Sequence, residues 1–94
     1  MKQKKERLIE VLQELELLLA KNESTIWHDW MTQSRDLLVN SDYSGIELLL
    51  SAYGGMGSFN DLILDKPAAD NQLMTLRTKA WDLADTIRRE QQLE

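Results

Sequence analysis

The chain's one histidine, His28, stands directly before Asp29, and an imidazole beside a carboxylate is the starting material for a general base with an orienting partner. On a helix that pairing is weak, because adjacent side chains point about 100° apart and local partners sit three or four residues away. His28 therefore reads as a surface or interfacial histidine. There is no cysteine, which removes thiol nucleophiles and thiolate metal sites, and no serine lies in a nucleophile-elbow pattern. Helical metal centres commonly set Glu and His at i, i+3 on facing helices. Glu10 and Glu14 are four apart but have no histidine partner, so they read as a solvated face. No catalytic residue, no metal ligand and no cofactor is expected, and the chain reads as a non-enzyme.

The least ordinary segment is Tyr53-Gly54-Gly55-Met56-Gly57-Ser58-Phe59-Asn60-Asp61-Leu62. Glycines ahead of a serine and a helix start can present backbone amides to an anion. The Gly-Lys-Ser/Thr ending of a phosphate-binding loop is missing, however, no strand precedes the segment, and Asp61 and Asp65 bring negative charge. The favoured reading is a tight helix-to-helix corner in which Met56 and Phe59 tuck inward and Asn60 or Asp61 satisfies loose amides, with partner contact as the competing one.

The elements that hold these residues follow from periodicity. Leu8, Leu12, Leu15 and Leu19 recur at steps of four, three and four, which predicts a first helix over residues 3–21. Ile9, Val11 and Leu18 widen the stripe beyond a coiled-coil seam, as suits a helix with two neighbours in a bundle. Asn22 to Ser24 offers capping side chains for a second helix reaching about Val39, with Trp27, Trp30, Met31, Ser34, Leu37 and Leu38 on one stripe. Ser44 and Glu47 match a capping box for a third helix starting near Gly45, which Gly54 is placed to end. Ser58 and Asp61 suggest one further helical turn. Pro67 is tolerated in the first turn of a last helix that continues to about Gln91, through Leu73, Leu76, Ala80, Leu83 and Ile87. Trp30 and Trp81 are expected in the core, whereas Trp27 and Tyr43 are placed to face a partner. The expected fold is all-α: a four-helix bundle with short connections and a short extra helical turn after the glycine-rich corner, in one domain spanning residues 1–94.

Composition agrees with that class. An apolar share of 43% and a charged share of 29% suit a globular chain, and leucine-rich sequence with one proline favours helices. The basic start is followed by Glu10, Glu14 and Glu16 and resembles no export signal, and no apolar run approaches the roughly 20 residues of a membrane span. A soluble, cytoplasmic protein is expected. The net charge of -5 is concentrated: residues 22–65 hold Glu23, Asp29, Asp36, Asp42, Glu47, Asp61 and Asp65 against Arg35 alone. Such a centre repels phosphate backbones and anionic lipid, which argues against nucleic acid and membrane, and it favours a basic protein surface. A homodimer through the Leu8 to Leu19 face is the alternative.

The stretch from Ala52 to Leu64, with Asp70-Asn71 and the later Leu76, Ala84 and Ile87, resembles a family of small, functionally uncharacterised bacterial helical domains whose hallmark is Gly-Gly-Met-Gly-Ser-Phe/Leu-Asn-Asp-Leu. The likeness covers residues 35–88 and implies a bacterial origin and an all-α fold, with no catalytic residues to carry over. More loosely, in size and acidity, the chain is similar to bacterial immunity proteins of polymorphic toxin systems. That similarity implies stoichiometric inhibition of a cognate, basic toxin, often a nuclease. Asp29, Asp36, Asp42 and Glu47 would dock on it by steering and interfacial pairs, with Trp27 or Tyr43 as an apolar anchor.

Overall fold

A computed structural model describes residues 3–54 and 56–92. It contains four α-helices, α1 (Lys4–Lys21), α2 (Thr25–Val39), α3 (Ser44–Ser51) and α4 (Pro67–Gln92), with a single 3-10 turn at Phe59–Asp61 and no strand among the described residues. Helix α1 packs on α2 and α4, and α3 packs on α2 and α4, so the four close into a bundle. The expected all-α bundle with a short extra turn is what the chain forms.

Leu8, Leu12, Leu15 and Leu19 are fully buried on α1 and meet Met31 and Leu38 of α2, Ile46 and Leu49 of α3, and Leu73, Ala80 and Ala84 of α4 in one core. The leucine face is thus consumed by packing within the chain, and a homodimer would have to use another surface.

Element lengths explain the corner. The 26 residues of α4 run about 39 Å at 1.5 Å each, nearly the 42 Å long dimension of the molecule. The 8 residues of α3 reach only about 12 Å. The remaining flank of the core is closed by the chain after α3, where Phe59 is wholly buried and Leu64 nearly so. Gly54 (φ 90°) and Gly57 (φ 75°) supply the left-handed steps of this reversal, which other residues adopt only with strain. The Phe59 N–H then donates to the Ala52 carbonyl at 2.9 Å.

Several expected details are corrected. No side chain of Asn22, Glu23 or Ser24 caps the start of α2. The Asn22 amide instead donates back to the Leu18 carbonyl at 2.8 Å. Both α1 and α2 end in the same way: Ser24 N–H on Leu19 O with Glu23 N–H on Ala20 O, and Asp42 N–H on Leu37 O with Ser41 N–H on Leu38 O. These are Schellman endings, and the left-handed residue they require is Glu23 (φ 58°) or Ser41 (φ 58°) rather than glycine. Ser41→Gly is accordingly expected to raise stability by about 1 kcal/mol in urea unfolding; a loss would contradict the left-handed assignment.

The Ser44–Glu47 capping box is absent. Ser44 is already helical, and both its N–H (3.0 Å) and its hydroxyl (2.7 Å) donate to Asp42 Oδ1. The aspartate two residues earlier reaches the free amide first. Met56 does not tuck inward but is fully exposed, because Phe59 already fills the space beneath the corner. Trp81 is 41% exposed rather than in the core, and Trp30 is half-buried with its indole N–H on Leu48 O at 2.7 Å.

Candidate functional site

Helix α2 places the acidic residues differently from one another. Asp29 and Asp36 lie seven apart, so they share one stripe about 10 Å long, with Gln33 between them. Their side chains are 61% and 63% exposed. Trp27 lies about 200° around the helix from Asp29 and packs inward, 5.3 Å from the Trp30 ring and 5.4 Å from that of Phe59. The expectation that it faces a partner beside Asp29 is corrected: the two point to opposite sides. Asp42 folds over the carboxyl end of α2 and Glu47 is exposed on α3. Tyr43 is 40% exposed, but it borders a cleft with Lys4, Lys5, Ile87 and Glu90, so its surroundings are mixed in charge. Asp29 and Asp36 thus form one coherent face, Asp42 extends it, and nothing brings Trp27 to it.

His28 and Asp29 do meet, contrary to the angular argument, with Nδ1 and Oδ1 3.1 Å apart. Both side chains reach toward solvent, where an exposed carboxylate can swing along the helix surface to its neighbour.

The charge of Arg35 goes mainly into the α1–α2 seam, with the exposed Asp36 carboxylate a longer contact at 3.8 Å. Its Nε and Nη2 donate to the two carboxylate oxygens of Glu16 at 2.5 and 3.1 Å, and the Thr32 hydroxyl adds a bond of 2.7 Å to the same carboxylate. The Glu16 hydrogen bond raises the Arg35 guanidinium above its ordinary value, against the opposing effect of burial. This α1–α2 clamp was hidden in the sequence, where Glu16 reads as one more polar residue breaking a leucine run. All seven carboxylates of residues 22–65 lie at the surface, while their one cation is shared between Glu16, outside that segment, at 2.5 Å and Asp36, within it, at 3.8 Å.

Asp42 is held below its ordinary 3.8 by the hydrogen bonds from the Ser44 side chain and backbone. A carboxyl depressed in the folded state adds stability above its unfolded value and loses it as pH falls through the folded one. Asp42→Ala should therefore flatten the decline of the urea midpoint below about pH 4; an unchanged acid limb would contradict the cap.

The glycine-rich corner is built for shape. The Gly57 N–H donates to Asp61 Oδ2 at 2.7 Å, so Asp61 satisfies a loose amide as expected. Ser58, expected to cap the following turn, has a buried hydroxyl with no partner among the described residues, and Asn60 is exposed. Gly55 lies outside the described residues. Arg77, which no sequence motif marks, clasps the corner: Nη1 donates to Phe59 O (2.9 Å) and Leu62 O (3.1 Å), and the guanidinium lies 5.9 Å from the Phe59 ring centroid. Tyr53 OH donates to Arg77 O at 2.7 Å, and burial pushes its phenol well above its ordinary value. An arginine four residues past Leu73 on a helix was the available signal, but nothing in its spacing marks the carbonyls it meets.

The sequence pattern of a known family, described as Domain of unknown function (DUF6966), matches residues 20–72, just over half of the chain. The chain belongs to that family. The stretch shared with DUF6966 runs from the end of α1 through α2, α3 and the corner to the first turns of α4, so it includes Asp29, Asp36 and Phe59 but neither Arg77 nor any of the Leu8 to Leu19 stripe. No curated protein and no solved structure matches the chain. No helix is long and apolar enough to cross a membrane, and no group of three or more His, Asp or Glu among the described residues is arranged to hold a metal ion.

Proposed function

We propose that this chain is a small acidic binding protein of the immunity type, which docks the outer face of α2 on a basic protein domain and neutralises it stoichiometrically. The cognate partner on this reading is a bacterial toxin domain, such as a nuclease, whose substrate cleft is already shaped for negative charge, and the encounter takes place in the cytoplasm. The observation that carries the reading is the division of Arg35, the one cation of residues 22–65, between Glu16 at 2.5 Å and Asp36 at 3.8 Å, which leaves the other six exposed carboxylates without a cation of their own segment. A surface of one sign steers an oppositely charged partner and accelerates encounter. Asp29 and Asp36 supply the central pair, with Asp42 at the end of the helix and Glu47 on α3. Tyr43 is the exposed aromatic nearest this group, whereas Trp27 acts from beneath, by fixing α2 against Phe59.

Co-expression with the product of the adjacent gene tests the proposal. A 1:1 complex on size exclusion, together with relief of that product's toxicity, is the expected outcome. A neighbour that is harmless and elutes separately contradicts it.

A further inference from the structure

Between the end of α3, the corner and α4 lies a recess of about 230 Å³ lined by Tyr53, Asn60, Arg77, Thr78 and Trp81. Arg35, Arg88 and Arg89 each meet a carboxylate, whereas no carboxylate among the described residues lies within ion-pair distance of Arg77. Arg77 is half-buried and held in place by neutral acceptors, two carbonyls on Nη1 and the face of Phe59. A guanidinium is a planar fork with more than one binding edge. With Nη1 engaged, Nε and Nη2 make no hydrogen bond among the described residues. Arg35 shows what that same edge takes in this protein, since its Nε and Nη2 grip the two oxygens of Glu16.

We propose that this recess binds a carboxylate carried on a small apolar group. The two oxygens lie along the Nε–Nη2 edge of Arg77, a bidentate, charge-assisted geometry. The Thr78 hydroxyl and the Asn60 amide supply further donors, and the exposed ring of Trp81 forms the apolar wall. Asp61 and Asp82, next in sequence to Asn60 and Trp81, disfavour a doubly charged phosphate, so a monoanion fits better. The volume is below that of drug-sized pockets, which limits the ligand to one short substituent and to affinities on the order of 1 mM. The site is independent of the acidic face of α2.

Phenylacetate titrated into the full chain, with the Trp81 indole N–H followed by nitrogen-15 NMR and assigned through Trp81→Phe, tests the proposal. A saturable shift is expected, with phenylacetamide at equal concentration causing none and Arg77→Lys abolishing it in a still-helical protein. If Arg77→Lys does not fold, Thr78→Val at an exposed position should weaken binding at least about threefold, through loss of one donor. N-acetyl-Ala-Phe distinguishes the sources: tighter binding than phenylacetate marks a peptide end as the ligand, and weaker binding marks a free small acid. Absence of a saturable shift, an equal shift with phenylacetamide, or undiminished binding in the folded variant overturns the site.

Discussion

Gly45→Val is expected to destabilise the protein by about 3 kcal/mol, a large part of the roughly 5–14 kcal/mol available to a domain of this size. The cause is the crossing of α3 over α2. A Cβ at Gly45 would stand 2.7 Å from the Ser34 carbonyl oxygen, 3.0 Å from Leu37 Cβ and 3.1 Å from Leu38 Cγ. The first of these is backbone, so relief requires the helices to separate rather than a side chain to turn. Replacing a helical glycine ordinarily gains up to about 1 kcal/mol of propensity with alanine and less with valine. Steric cost outweighs that gain, and the two γ-methyls that valine adds beyond Cβ enlarge it. Urea unfolding should show a midpoint shifted sharply down with α-helical content retained at zero denaturant. Unchanged or increased stability would mean that α2 and α3 do not approach as closely as described.

Arg35→Ala should cost about 2–3 kcal/mol, less than the loss of one partner in a fully buried pair because Arg35 remains partly in contact with water. Its side chain is 24% exposed, that of Glu16 only 11%. Removing the guanidinium leaves the carboxylate against the α1–α2 seam with Thr32 as its remaining hydrogen-bond donor. Replacing both residues together, Glu16→Leu with Arg35→Met, should restore most of the loss, since apolar side chains of similar size can substitute for an ion pair. A double-mutant cycle on urea unfolding checks this, with a coupling of at least about 1 kcal/mol expected. Additive losses would reduce the clamp to two unrelated surface residues.

The helices were legible because leucines at steps of four and three must share a face, and Leu8 through Leu19 and Leu73 through Ile87 keep that rhythm without interruption. The endings of α1 and α2 were not, since Glu23 and Ser41 adopt a conformation that glycine usually advertises. Gly45 reads as a helix start in one dimension; its role is the missing side chain that lets another helix approach. The corner was legible as a reversal but not in its allocation of side chains, because Met56 and Phe59 are both apolar and only the space beneath them selects one. Trp81 follows the period of α4 closely enough to seem internal, yet α3 is too short to cover it. Of the candidate docking residues, the spacing of Asp29 and Asp36 was sufficient to place them together. Trp27, two positions from Asp29, falls about 200° away by the same helical spacing, and its packing against Phe59 agrees with that.

The central claim is that the carboxylates of α2 drive association with a basic partner. It is tested most directly by the association rate of the chain with the product of its adjacent gene, for the natural protein and for Asp29→Lys with Asp36→Lys, at low and high salt. The variant should associate at least about tenfold more slowly at low ionic strength, and the gap should narrow as salt screens the charges. Rates that are equal at low salt, with the double variant folded as judged by its urea midpoint, would contradict it.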